Sequence, residues 1–338
     1  MTNPVVAEVW RGGIVESHHR GAISVAGPGG SIMLSLGDVA TDVYPRSAIK
    51  IFQALPLVES GAADAFGFGD ASLALACASH NGEVRHANAA REMLAACGLD
   101  HGALECGAHR PMGPDASWEL AWSHGEPTAL HNNCSGKHAG MAATAVHLGE
   151  DPAGYVRPDH PVQQRVRGVL EEMTGAELKS RPCGVDGCSV PTWAFSLAEM
   201  ALGLSRLATG EGPGAAHADA GARLLAACFA EPEMTSGAGR CCAQIIRASG
   251  KRAYVKVGAE GVYCGVVPDL GVGIALKIDD GGKRAAEVAI AAVVSALLPD
   301  AADALEPFRN VTLTNWRSIE TGVLRPSSEF SSALGAIR

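Results

Sequence analysis

The stretch YPRSAIKIF, residues 44–52, sets Ser47 three residues before Lys50. If a helix begins near Pro45, this spacing brings the hydroxyl and the amine onto one face. A lysine serves as general base toward a serine only when neutral, which requires burial or a neighbouring positive charge. Arg46 is adjacent in sequence. Alone, S-x-x-K recurs by chance and is equally the start of an ordinary helix. A second constellation lies in HNNCSGKHAG, residues 131–140, where Cys134, Lys137 and His138 fall within five residues among small side chains. Another small-residue stretch, CGVDGCSV, adds Cys183, Asp186 and Cys188. The chain has no C-x-x-C pair, so neither a zinc ribbon nor a thioredoxin-like motif is indicated. Zinc could still take two thiolates and one nitrogen and leave a position open. His138 is the conventional nitrogen donor; Lys137 is the unusual one, because it must first lose its proton. Read alone, the segments fit two buried free thiols in Gly-rich loops slightly better than a metal site.

Further pieces sharpen the serine–lysine reading. Ser79-His80-Asn81 is an S-x-N triplet, and Lys256-Val257-Gly258 is a K-x-G on a predicted strand. In this chain order the three form the signature set of serine β-lactamases and penicillin-binding proteins. Its logic is a nucleophilic hydroxyl beside a neutral lysine, a second hydroxyl to relay protons, and a strand whose backbone holds the substrate.

The elements that must position these groups follow from periodicity. PVVAEVWRGG, IVESHHRGAISVAG and SIMLSLG read as an antiparallel meander. PRSAIKIFQALPLVESG has helical spacing interrupted by Pro56. HANAAREMLAACG, HPVQQRVRGVLEEMTG, TWAFSLAEMALGLSRLATG and AAHADAGARLLAACFA are helical, and most end in Gly. Strands return with RAYVKVG, GVYCGVV and GVGIALKI, followed by a helix in KRAAEVAIAAVVSALL. The tail after Pro307 shows no clear period. The expectation is one catalytic unit over 1–338, with a sheet subdomain from about 1–84 plus 236–338 and an inserted helical subdomain over about 85–235. A cleft is expected where the two meet.

Composition limits the partners. The 338 residues are 47% hydrophobic and 19% charged, with a net charge of −9. A phosphate backbone would be repelled on average, and no basic–aromatic stripe offsets this, so no nucleic acid is expected. No window reaches the roughly 18 apolar residues a membrane span needs. MTNPVVAEVWRGG has neither a basic n-region nor an apolar h-region, so a cytoplasmic location with reduced cysteines is expected.

Taken together, YPRSAIK, ACASHNGE, HNNCSGKHAGM, GVDGCSVPT and VKVGAEGVY resemble the Rhizobium etli-type, or class 3, L-asparaginases over nearly the whole chain. The resemblance implies a serine-β-lactamase-like, glutaminase-like fold: an α/β arrangement with an antiparallel sheet flanked by helices and an inserted helical subdomain. It also implies a homodimer that hydrolyses L-asparagine to L-aspartate and ammonia. It assigns the Ser–Lys tandems to Ser47 with Lys50 and Ser79 with Lys256, and a zinc site to Cys134, Lys137 and Cys188, choosing Lys137 over His138. Arg46, His138, Asp186 and Cys242 then fall at the substrate pocket. Val257 stands where related sequences often carry a small or hydroxylated residue. The alternatives carried forward are a glutaminase or other acyl hydrolase on the same scaffold, a cysteine-nucleophile amidase using Cys134 or Cys188, and a non-catalytic zinc- or amino-acid-binding protein.

Overall fold

The computed structural model describes residues 2–212 and 214–337, which form two compact units. The first, the sheet unit, comprises Met1–Ala48, Phe195–Thr209 and Gln244–Arg338. Its sheet has eight strands. Seven run in the spatial order Val311–Thr314, Glu320–Pro326, Val5–Arg11, Ile14–Ala26, Val272–Ile278, Val262–Val267 and Tyr254–Val257; the eighth, Ile32–Leu36, also pairs with Ile14–Ala26. Every pairing is antiparallel, and the register sets Ile274 opposite Val25 on one side and Gly265 on the other. The strands from Val262 to Val267 and from Tyr254 to Val257 are buried along their whole length, which explains their unbroken apolar runs. The edge strand Val311–Thr314 instead alternates between half-buried and exposed residues. The helix Leu197–Thr209 packs on strands Val272–Ile278 and Ile14–Ala26, and the helix Lys283–Leu297 packs on the sheet as well.

The second, the helical unit, comprises Ile49–Ala194 and Gly210–Ala243. The helix Lys50–Glu59 lies against Ser135–His147, Pro161–Thr174 and Ala215–Ala230. It is buried from Lys50 through Leu57, and Ser135–His147 from Ser135 through Ala145, so each is enclosed on every side. Pro56 does not interrupt the first of these: the helix continues through it to Glu59. Burial on all sides compensates for the hydrogen bond that a proline removes.

The division differs from the sequence expectation at three places. Residues 49–84 and 236–243 belong with the helices rather than the sheet, and 195–209 with the sheet rather than the helices. An apolar stripe shows that a helix must bury a face, and says nothing of the surface it will meet. The chain after Pro307, which showed no period, forms the hairpin Val311–Thr314 with Glu320–Pro326 and the helix Ser328–Leu334. Among the described residues, no helix is long and apolar enough to cross a membrane.

Candidate functional site

In the sheet unit, Ser47 lies in a short 3-10 turn, Arg46–Ile49, and the α-helix begins only at Lys50. The helix start near Pro45 is therefore corrected to a tighter turn. Arg46 has φ 52°, a left-handed conformation that costs a non-glycine residue about 1–3 kcal/mol. The surroundings hold it there. Ala48 N–H donates to Pro45 O at 3.2 Å, and the Cys264 thiol donates to Ala48 O at 2.9 Å. The end of strand Tyr254–Val257 presses on the same turn. A Cβ at Gly258 would lie 2.9 Å from Pro45 O and 3.3 Å from Ala48 N, so the final residue of K-x-G has to be glycine. Lys256 is fully buried on this strand, and its Nζ donates to Val257 O at 2.8 Å. The Ser47 turn and the strand bearing Lys256 thus pack together.

The helical unit gathers most of the other candidates. Lys50, fully buried, donates from Nζ to Ala78 O, the carbonyl immediately before Ser79, and to Cys134 Sγ at 3.0 Å. Ser79 is buried, with its N–H on Thr235 O at 3.1 Å. Cys134 and Cys188 are hydrogen-bonded through their side chains. Lys137 Nζ donates to Cys188 Sγ at 3.0 Å, and the Cys188 thiol donates to Asp186 Oδ2 at 3.2 Å. Two segments that the sequence treated separately, one with a serine–lysine pair and one with thiols, therefore share Lys50.

Local structure explains how the helix carrying Lys137 reaches this place. Asn132 Oδ1 accepts the Cys134 N–H at 2.9 Å as the helix Ser135–His147 starts. Gly136 allows the helix to approach Asp70–Ala76 closely: a Cβ there would fall 2.4 Å from Leu75 O.

The charges follow from this packing. The neighbouring Cys188 side chain lowers the Cys134 thiol below its ordinary value; burial opposes this, and Lys50 and Lys137 reinforce it. Cys188 is pushed up for the complementary reason, by Cys134 and by burial. Burial works against the charge on Lys137, but Cys188, Cys134 and Asp186 outweigh it and raise the amine.

Among the described residues, no group of three His, Cys, Asp or Glu side chains is placed to hold a metal ion. Two thiols in contact, an amine on one of them and an adjoining carboxylate form a donor set suited to zinc, which would displace the thiol and ammonium protons.

His138 is fully buried. Its Nδ1 is hydrogen-bonded with Tyr155 OH at 2.6 Å, and that hydroxyl also accepts the Glu105 N–H at 3.0 Å. Its Nε2 is buried without a hydrogen-bond partner. Burial, with the charges of Lys137 and Lys50, holds the ring neutral. Arg46 is half-buried, and Cys242 is buried at the start of the helix Cys241–Ala248.

The sequence reading passed over His80, treating it as the spacer of S-x-N. It is fully buried and lies 2.9 Å from Ser135 Oγ through Nε2. An aromatic, titratable residue between Ser79 and Asn81 was the available signal.

The chain belongs to the L-asparaginase II family, whose model matches residues 7–326, consistent with the Rhizobium etli-type resemblance. No curated protein matches it. Among solved structures it is similar to a beta-lactamase from Mycobacterium bovis, at 14% identity over 85% of this chain and 93% of that chain, with a TM-score of 0.40. It is also similar to Mglu in its tris and glutamate form, at 17% identity over 85% of this chain and 61% of that one, with a TM-score of 0.36. Mglu in its native form matches at 18% identity over 78% and 57% of the two chains, with a TM-score of 0.34. The chain thus spans less than two thirds of the Mglu chains. Likenesses this weak carry no argument about activity.

Proposed function

We propose that this protein is an L-asparaginase that hydrolyses L-asparagine to L-aspartate and ammonia. The observation that carries the reading is the L-asparaginase II family match over residues 7–326. Its support within the molecule is Lys50, whose buried amine joins the carbonyl before Ser79 to Cys134 Sγ.

Ser47 attacks the side-chain amide carbon while Lys50 takes its proton. The strained Arg46–Ser47 turn and the backbone after Lys256 supply N–H groups for the oxyanion. Ser79 and Lys256 pass a proton to the departing nitrogen as the C–N bond breaks, and ammonia leaves. Water then cleaves the acyl–serine ester and releases aspartate. Arg46 pairs with a substrate carboxylate. His138, whose buried Nε2 has no hydrogen-bond partner in the protein, contacts a polar group of the substrate, Asp186 steadies Lys137, and Cys242 completes the pocket wall. Cys134, Lys137 and Cys188 would hold zinc, and bound there the ion supplies a Lewis-acidic anchor that orients the substrate. The family resemblance further supports a homodimer and a cytoplasmic location.

Ammonia release from L-asparagine and, separately, L-glutamine tests the reading. Turnover of asparagine well above glutamine is expected, with Ser47→Ala losing about 10³-fold or more in kcat. Glutamine turned over as fast would favour a glutaminase. A Ser47→Ala variant at near-normal turnover would overturn the nucleophile, and no ammonia from either amide would overturn the enzyme.

A further inference from the structure

The His80 ring is built into the helical unit at every polar atom. Its backbone N–H donates to Asn133 O at 3.1 Å. Its Nδ1 accepts the Gly82 N–H at 3.0 Å. A backbone N–H can only donate, so Nδ1 must be the bare nitrogen and Nε2 must carry the proton of the neutral ring. The Nε2–H therefore donates to Ser135 Oγ, 2.9 Å away.

Ser135 is the first residue of the helix Ser135–His147, directly after Cys134 and two residues before Lys137. A second histidine extends the arrangement. His86 stacks on His80 with centroids 4.7 Å apart and planes 14° from parallel. Its Nδ1 accepts the Glu83 N–H at 3.1 Å, which leaves Nε2–H to donate to Glu233 O at 2.9 Å. Glu233 lies in the helix Pro232–Ser236, whose Thr235 carbonyl takes the Ser79 N–H. Ser79 is thus held from one side through Thr235, and its neighbour His80 reaches across to the helix that bears Lys137.

From this geometry we infer that His80 is a positioning residue: a neutral imidazole, locked as the Nε2–H tautomer, that fixes the Ser79 loop against the start of the helix carrying Cys134 and Lys137. The inference rests on the asparaginase reading for its kinetic consequence, but not for the tautomer. Burial, above all, keeps the ring uncharged. Substitution would leave each half of the site in place and disturb their mutual placement, for which losses of about 10–100-fold are ordinary.

The amide N–H of Gln lies near the position of Nε2, whereas the amide oxygen of Asn lies near Nδ1. His80→Gln keeps the donor to Ser135 and His80→Asn loses it. The expectation is that His80→Gln retains kcat within about threefold, while His80→Asn loses about 10–100-fold with KM changed less than kcat. Ser135→Ala, which removes the acceptor from the other side, should lose as much as His80→Asn, and the double variant no more than either. If the His80 variants fail to fold, Ser135→Ala alone decides the kinetic question, and unchanged kcat in that variant overturns the proposal. Equal losses in His80→Gln and His80→Asn, following a shared loss of melting temperature, also overturn it. The readout independent of activity is the ¹⁵N spectrum of the parent protein near neutral pH. A protonated Nε2 and bare Nδ1 at His80 are expected, and the opposite tautomer overturns the proposal whether or not asparagine is turned over.

Discussion

The two units bury different things. The sheet unit fills its strands with Val, Ile, Ala and Leu, and Lys256 is an exception among them. The helical unit buries Lys50, Lys137, His80, His86 and His138 along with its apolar residues. Apolar burial is non-directional and rewards almost any well-filled packing. A buried amine or imidazole must instead have a partner at bonding distance, since stranding it costs several times what a bond contributes. The sheet unit thus reads mainly as a scaffold that presents Ser47 and Lys256, and the helical unit spends stability on a larger set of fixed polar groups, as functional sites commonly do.

The substitution expected to separate these roles most is Lys50→Met. It removes the amine shared by the Ser79 loop and Cys134, so ammonia release should fall by about 10³-fold or more, and melting should drop by an amount worth about 1–3 kcal/mol because Ala78 O and Cys134 Sγ each lose a partner. A melting loss as severe as the activity loss would make Lys50 structural and dissolve the contrast.

Next in size is Lys137→Met. Zinc measured on purified protein should drop from about one per chain toward none, and KM should rise about 10–100-fold with a smaller fall in kcat. Retained zinc would mean that Lys137 is only the counter-ion of a thiolate.

The smallest effect is expected away from the cluster, at another buried charge. His217 is held between Glu59, through Nδ1, and Glu172, with Nε2 2.7 Å from Oε2. Both nitrogens can donate to carboxylates only in the imidazolium form. Burial opposes that charge, but the bonds to Glu59 and Glu172 outweigh it and raise the group above its ordinary value. Because the folded-state value is the raised one, the stabilisation is fully present below about pH 6.5 and is lost as the pH climbs through the raised value. The parent should therefore melt above His217→Ala by an amount worth about 1–2 kcal/mol near pH 6, narrowing at alkaline pH, with kcat unchanged. A gap that widens with pH would refute the clamp, and a kcat loss would put His217 with the functional group.

Much of the organisation was legible from order and period. The meander, the late strands and most of the long helices appear where apolar spacing placed them, because a strand or helix with one buried face repeats at a fixed interval; the exceptions are residues 192–196, which fall in short strands ahead of the helix Leu197–Thr209, and the helix Ser135–His147, which the spacing did not single out. The unit boundary was not, since the stripe of Leu197–Thr209 carries no mark of the sheet it covers. Nor was the hairpin of Val311–Thr314 and Glu320–Pro326: a half-exposed edge strand has little apolar content from which to show a period. Within the candidate site, Cys134 with Lys137 and Asp186 with Cys188 were visible as close neighbours in the chain. The bond between Lys50 and Cys134 spans 84 residues and left no local trace. His80 was printed between two noticed residues and still missed, because only burial shows that its ring must be bonded on both sides.

By itself, the sequence determined the kinds of chemistry available: hydroxyls near lysines, thiols near a lysine, and glycines where backbone had to pass close. Those depend on residue type and local spacing, which the chain carries directly. Only the tertiary structure decided that Lys50 would face the Cys134 sulfur, that Lys137 would lie against Cys188, and that His138 would keep an unpartnered Nε2. These depend on which distant surfaces close together and exclude water, and a charge or proton acquires its energy only from those surroundings.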